Sequence, residues 1–305
     1  MFLFQDVTLV DFLMWIAVVA GLMILNEFAR SNKYVALILF IALPIILTVF
    51  VWPTTAGPGS STGTWFHWVK VYSALAGCLG FLALRHIKSL QSNKWALAFP
   101  AFILAFNICE AVIRDFQVAS LHGMVDGVFM NGGPWNIMNG IAGIINIVTI
   151  SGWFGIIISK DKQKDMIWPD QLWFWIIAYD VWNFAYVYNC VGDHSFYAGA
   201  ALLISCTIPA FFIKKGAWLQ HRAHTLAFWM MFTMSFPEFV TSSKFAVQST
   251  HSDGALMTVS GIALAVNIAV LVYHVYRITK YKRNPFTQTV YDGLAASDEV
   301  IKENS

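Results

Sequence analysis

The sequence predicts an all-α fold, a polytopic bundle of about nine transmembrane helices, and three observations support this prediction. Of the 305 residues, 58% are hydrophobic and 12% are charged, whereas about a quarter of the residues in a soluble globular chain are charged. Apolar segments of about 20 residues, long enough to cross a hydrocarbon core of about 30 Å, recur along almost the whole chain. The loops between these segments alternate between basic and neutral-to-acidic composition. We therefore expect a lipid bilayer to surround most of the protein.

Nine apolar segments separated by polar breaks define the predicted helices. In chain order they are Thr8 to Leu25, Tyr34 to Trp52, Trp65 to Leu84, Trp95 to Ile113, Trp135 to Ile158, Trp168 to Asn189, Phe196 to Ile213, Ala223 to Val240 and Ala255 to Tyr276. The first segment is predicted to be a retained span, because it lacks the basic region and cleavage site of a secretory signal. Residues 1–283 are thus a transmembrane domain, and residues 284–305 are expected to form a polar, mobile cytoplasmic tail.

Each predicted helix ends at a polar break, and the character of the breaks gives the orientation. The breaks after helices one, three, five, seven and nine are basic: EFARSNK, RHIKSLQSNK, SKDKQKDM, KKGAWLQHR and YRITKYKRN. The breaks after helices two, four, six and eight are neutral to acidic: PTTAGPGSSTG, DFQVASLHGMVDGVFMNGG, VGDH and the stretch ending in STHSDG. Short cytoplasmic loops collect Lys and Arg. The amino terminus is therefore predicted outside and the carboxyl tail in the cytoplasm, in a plasma or bacterial inner membrane.

Arginine and lysine counts support that orientation. Of the 19 Lys and Arg residues, all but Lys70, Arg114 and Lys244 fall on the predicted cytoplasmic side. In this count Arg222 belongs to the basic loop before the eighth helix. An excess on one side of this kind is typical of a multi-pass inner-membrane protein.

Asp180 in the sixth predicted helix is the sharpest candidate for a functional residue. An ionisable side chain inside hydrocarbon costs about 3 kcal/mol or more unless it finds a partner or water. Asp180 lies about ten residues, or about 15 Å, beyond the inner end of its helix, near the midplane. Asn183 and Tyr186 follow at three-residue steps on the same face. We interpret Asp180 with Asn183 as a midplane binding or protonation site, the alternative being a structural Asp that bonds to a neighbouring helix.

The fourth predicted helix carries Asn107, Glu110 and Arg114 on one face. Glu110 and Arg114 are four residues apart with the acid first, the favourable order for an ion pair within a helix. Such a pair would by itself explain both residues. Otherwise they line an approach to the site from the outer side.

Two further helices carry polar side chains. Asn136, Asn139 and Asn146 form a stripe with glycines in the fifth helix, which is typical either of close interhelical packing or of a hydrogen-bonding wall along a substrate path. In the eighth helix Pro237 removes a backbone donor, so we expect a bend or interruption there, next to Glu238. Broken helices beside an acidic side chain recur at transporter sites.

The outer half of the bundle is predicted to be electronegative. Its acids, counted with Asp180, are Asp6, Asp11, Asp115, Asp126, Asp193, Asp253, Glu110 and Glu238, against three bases. A vestibule of this charge would concentrate cations or cationic solutes.

These observations favour a membrane transporter or ion-conducting protein for a small polar or cationic solute, with proton coupling through Asp180. The alternative is a membrane-embedded enzyme or redox protein acting on a lipid-soluble substrate, and a membrane receptor ranks third. We expect no cofactor: His122, His194 and His251 fall in loops, where they could not form the facing pairs that haem needs, and no nucleotide or metalloprotease motif is present. We expect a lipid bilayer and a small solute or proton as partners, and no nucleic acid.

Overall fold

The computed structural model describes residues 2–125 and 127–304, and their fold is all-α with two small β-hairpins. Ten helices are labelled α1 to α10 in chain order. They are α1 Leu9–Ser31, α2 Lys33–Thr55, α3 Trp65–His86, α4 Lys94–Val118, α5 Pro134–Val148, α6 Trp173–Cys190, α7 Phe196–Phe212, α8 Trp218–Ser235, α9 Asp253–Tyr281 and α10 Ala295–Asn304. Short helical turns at Lys88–Gln91, Gly192–His194 and Glu238–Thr241 lie between them. The antiparallel hairpins are β1 His122–Val125 with β2 Val128–Asn131, and β3 Ile157–Ile158 with β4 Met166–Ile167.

Helices α1 to α9 occupy the positions of the nine predicted segments. Within the described ranges, five of them are long and apolar enough to cross a membrane, namely α1, α2, α3, α4 and α9, and α7 is a shorter apolar helix. The other three are 15 to 18 residues long and richer in polar or aromatic residues. The all-α class is confirmed, and a crossing by all nine helices stays a prediction.

The fifth helix is shorter than predicted. The sequence indicated a helix to Ile158, but α5 ends at Val148 and the chain then turns at Gly152, whose φ is +64°. Glycine adopts this left-handed conformation without strain. The backbone N–H of Gly152 donates to the carbonyl of Pro285 at 3.0 Å, which ties this loop to the C-terminal segment. The apolar residues after the turn form β3 instead of a further helical turn.

Proline, which has no backbone N–H to donate, distorts α2 and ends α8. In α2, Pro44 lies between two stretches of wide π-type turns, Ile38–Ala42 and Leu47–Val51, since proline cannot donate the backbone hydrogen bond that the helix needs. As predicted, the eighth helix is interrupted at Pro237: α8 ends at Ser235 and a separate helical turn begins at Glu238.

Helix α8 lies at the centre of the bundle. Sixteen of its eighteen residues are buried, and it packs against α3, α7 and α1. Helices α4, α5, α6 and α9 form the other half, with α5 packed against both α4 and α9. Helices α1 and α2 lie at the periphery and expose large apolar side chains such as Phe12, Ile16, Ile45 and Phe50, a surface suited to lipid.

The C-terminal tail is packed against the bundle, contrary to the expectation of a mobile segment. Asp170 accepts backbone hydrogen bonds from Val290 at 2.8 Å and Tyr291 at 3.1 Å, and the Tyr291 hydroxyl bonds to His274 at 2.8 Å. Val300 of α10 packs beside Ile167. The sequence pattern missed this because the tail residues are polar on average, while three apolar residues among them, Val290, Tyr291 and Val300, are buried.

Candidate functional site

A cavity lies between α3, α4, α6, α7 and α8. The side chains that line it recur at three- and four-residue steps, which places them on one face of each helix. On α3 the stripe is Phe66, Lys70, Ser73, Ala74, Gly77 and Phe81, and on α8 it is Leu219, Arg222, Ala223, Leu226, Trp229, Met230 and Thr233. The cavity therefore follows the long axis of the bundle between two facing helices.

This cavity is narrow, long and mostly apolar. Phe66 and Phe81 are fifteen residues apart on α3, a rise of about 22 Å. Its volume is about 90 Å³, several times the roughly 10–15 Å³ that one water molecule needs by the same measure. Apolar and aromatic side chains form most of its wall, with a few polar groups, which is typical of small-ligand sites.

Lys70 carries one of the two positive charges in the described lining, and it is fully paired. Its ammonium lies 2.5 Å from a carboxylate oxygen of Glu110 and donates to the backbone and side-chain oxygens of Asn107 at 2.8 and 3.3 Å. An ammonium has three donors, so this set uses all of them. Ser73 donates to the same carboxylate at 3.3 Å. Glu110 thus pairs with Lys70 on α3, and the predicted pair with Arg114 on its own helix is wrong.

Arg222 carries the other positive charge, and it is only partly satisfied. It is 5% exposed and donates from Nη2 to the amide oxygen of Asn183 at 3.1 Å. Its Nε and Nη1 are buried and form no hydrogen bond of 3.5 Å or less with a described residue, and the guanidinium lies 5.9 Å from the ring centroid of Tyr179, which interacts with it electrostatically. A buried guanidinium with free donors is costly unless a ligand or water satisfies it.

Two histidines and a tyrosine line the end of the cavity near the start of α3. The rings of His67 and His194 are 6.0 Å apart between centroids, and both are buried. Burial lowers the pKa of His194, in the turn between α6 and α7, to about 4, so this side chain is neutral near pH 7. The hydroxyl of Tyr186 also lies at the cavity without a described partner.

Asp180, the leading sequence candidate, lies beside the cavity and does not line it. One carboxylate oxygen accepts a hydrogen bond of 2.6 Å from Thr207 on α7, and the other is buried without a described partner. Thr207 in turn accepts from the indole of Trp218 at 3.2 Å. Of the predicted midplane pair, Asn183 therefore lines the cavity. Asp180 lies behind the lining residues, near Arg222.

The predicted asparagine stripe on α5 divides into two parts, neither of which lines the cavity. Asn136 and Asn139 donate to the carboxylate of Asp115 at 3.2 and 2.7 Å, and Cys190 does so at 3.3 Å. Asp115, expected in an outer vestibule, is instead fully buried between α4, α5 and α6. Asn146 donates weakly to its own helix, to Ala142 at 3.4 Å. The interhelical-packing alternative describes this stripe best.

The remaining predicted residues lie away from the cavity. Glu238 is exposed and lines an open depression of about 910 Å³ with Thr55 and Ser60. Arg114 is 7% exposed, and its guanidinium forms no hydrogen bond or ion pair with a described residue. Asp126, counted among the outer acids, lies outside the described residues. The cavity thus collects Asn107, Asn183 and Tyr186 from the predicted set, with Glu110 one side chain away.

Sequence reasoning missed Lys70, Arg222, His67 and His194 as site residues. Lys70 stood out only as a cation on the wrong side for the positive-inside rule, which is a usable signal for a buried partner of Glu110. Arg222 was assigned to a cytoplasmic loop because the eighth helix was predicted to start at Ala223, whereas α8 starts at Trp218. The basic loop composition concealed a helical arginine.

Comparison with known proteins gives a family and no activity. No curated protein and no solved structure matches this chain. A family described as being of unknown function, DUF5692, matches residues 5–303, which include every cavity residue. The chain therefore belongs to the DUF5692 family.

Proposed function

We propose that the protein is a multi-pass membrane transporter whose solute site is the cavity between α3, α6 and α8. The single observation that carries this proposal is the cavity itself, which follows the central helix and is lined by buried charged and amide side chains. Polar groups at such depth are costly, so they mark substrate paths in membrane proteins. The nine helices would all cross the membrane, with the amino terminus outside and the tail in the cytoplasm.

Asp180 would couple the site to protons. One of its oxygens is buried without a described partner, an arrangement in which the uncharged acid is favoured over the carboxylate. Arg222 lies close enough to interact with it electrostatically. No nitrogen of the Arg222 guanidinium lies within 4.0 Å of an Asp180 carboxylate oxygen, so the two do not form an ion pair. Protonation of Asp180 would therefore change the net charge beside Arg222 from neutral to positive.

Thiol labelling tests this proposal without knowledge of the substrate. Ala223 and Ala227 are one turn apart on α8, and only Ala223 lines the cavity. In a variant whose four cysteines are replaced, we expect Ala223→Cys to react with a membrane-impermeant methanethiosulfonate from either side of the membrane, and Ala227→Cys from neither. Ser73→Cys provides a second lining position on α3. A transporter would be contradicted if neither lining cysteine reacted from either side.

A further inference from the structure

We propose that the ligand of this cavity is an amphipathic monoanion, a carboxylate attached to a short apolar chain, which Arg222 binds through the donors it leaves free. This inference rests on the proposed use of the cavity as a solute site and names its substrate class. It replaces the cationic solute that the acid count of the sequence favoured.

The charges of the lining select an anion. None of the described lining residues is Asp or Glu, whereas Lys70 and Arg222 are both present. Glu110 neutralises Lys70 at 2.5 Å, so when Asp180 behind the lining is protonated, Arg222 carries the one positive charge that remains for the ligand. A single uncompensated guanidinium favours a ligand of one negative charge over a dianion, since the second charge would be buried without a partner.

The free donors of Arg222 select a hydrogen-bonding anion such as a carboxylate. The Arg222 side chain lines the cavity, and its Nε and Nη1 are buried without a described hydrogen-bond partner. Arginine and carboxylates form short, charge-assisted hydrogen bonds. Asn183 accepts from Nη2 at 3.1 Å and fixes the orientation of the guanidinium.

The apolar wall selects the rest of the ligand. The described lining also includes the apolar side chains of Phe81, Ile103, Leu104, Leu226 and Met230. Burial of a hydrocarbon chain against such side chains is favourable, roughly in proportion to the apolar area removed from water. A small hydrophilic anion would make no apolar contacts with these side chains, so an amphipathic anion fits the cavity better.

Equilibrium binding to the protein in lipid nanodiscs tests the assignment, with empty nanodiscs subtracted as background. The probes are radiolabelled octanoate and, as a matched cation, octyltrimethylammonium. We expect saturable octanoate binding, at least about tenfold weaker binding of the cation, and a loss of about 10- to 100-fold in octanoate affinity for Arg222→Gln, because hydrogen bonds to charged groups contribute about 1.5–3 kcal/mol. Arg222→Lys should retain part of the affinity, and Lys215→Gln on the surface all of it.

Several results would overturn the assignment. Equal binding of the cation, unchanged octanoate affinity in a folded Arg222→Gln protein, or tighter binding of the dianion octyl phosphate would each contradict it. Folding is checked by elution as a single species and by thermal unfolding. If octanoate does not bind but Ala223→Cys is labelled from both sides, the anion assignment fails and the transporter proposal stands; if neither lining cysteine is labelled, the transporter proposal fails.

Discussion

Arg222 donates one hydrogen bond of 3.1 Å to Asn183 and leaves Nε and Nη1 without a described partner, while Lys70, on the facing helix, uses every donor it has. The two cations of the cavity are therefore different in kind. Lys70 is part of the wall, and Arg222 is the group from which a ligand can accept hydrogen bonds. This difference leads to separate predictions for the two sides of the cavity.

Removing Lys70 should destabilise the protein. Lys70→Met leaves Glu110 buried at 4% exposure without its counter-ion, and breaking a buried ion pair costs about 3–5 kcal/mol. The double variant Lys70→Met with Glu110→Met should recover most of this loss, because both charges are then absent. Thermal unfolding in detergent micelles measures both. A double variant no more stable than Lys70→Met would show that the loss of stability does not come from leaving Glu110 unpaired.

A second buried carboxylate should anchor the loop between α5 and α6. Asp165 is fully buried, 2.6 Å from Arg30 and 2.8 Å from the donor amide of Gln220. Asp165→Asn leaves Arg30 partly unpaired, and we expect a loss of about 3 kcal/mol or more in unfolding free energy. Lys215→Ala, which removes exposed contacts to α10, is the control and should unfold like the parent protein. An Asp165→Asn protein that unfolds like the parent would contradict the account.

The Asn139 amide should stabilise the α4 and α5 pair through Asp115. Asn139→Ala removes the 2.7 Å hydrogen bond to that carboxylate, at a cost of about 1–3 kcal/mol. Asn146→Ala on the same helix is a matched control, since its amide makes one weak bond within α5 and its oxygen has no described partner. Chemical or thermal unfolding should separate the two variants. Equal losses would mean that the stripe contributes only by packing.

His194 should make the protein less stable in acid. Burial depresses its folded pKa to about 4 from an ordinary 6.5, so the unfolded chain binds a proton before the folded one does. The unfolding free energy is unaffected by this histidine above about pH 6.5 and falls as the pH is lowered toward 4. The loss is about 2 kcal/mol near pH 5. His194→Gln should therefore lose less stability than the parent between about pH 7.5 and 5, measured by thermal unfolding. The exposed His122→Gln should behave like the parent; identical profiles for all three proteins would exclude this role.

Protonation of Asp180 should bias the exposure of the cavity. A thiol reacts as its thiolate, so the labelling rate of Ala223→Cys is divided by that of a cysteine at the exposed loop position Ser92 at the same pH. In the proposed transporter this ratio depends on pH, and Asp180→Asn should remove most of that dependence because the amide cannot titrate. Glu238→Gln, which changes an exposed acid outside the cavity, should leave it intact. A pH profile that survives Asp180→Asn would assign proton sensitivity to another group.

The sequence was sufficient to place the helices because each is an apolar run bounded by a polar break. Side-chain partners were harder to predict. Glu110 has Arg114 at the favourable spacing on its own helix, yet it pairs with Lys70 on α3, and only the packing of α3 against α4 brings those two together. Arg222 was misplaced because a basic loop and the first turns of a polar helix have the same composition.

Asp180 and Asn183 illustrate the limit of a helical-face argument. Three residues along a helix place two side chains on one broad face, but the neighbouring helices divide that face. Asn183 faces α3 and α8 across the cavity, and Asp180 bonds to Thr207 on α7. The sequence gives no sign of where that division falls.

Protection of Ala223→Cys by octanoate tests the central claim most directly. If the cavity is a solute site and Arg222 its anion receptor, octanoate should slow the reaction of this cysteine with the impermeant reagent severalfold from both sides of the membrane, and should lose this effect in Arg222→Gln. A labelling rate that octanoate leaves unchanged, or slows equally in the Arg222→Gln protein, would contradict the account.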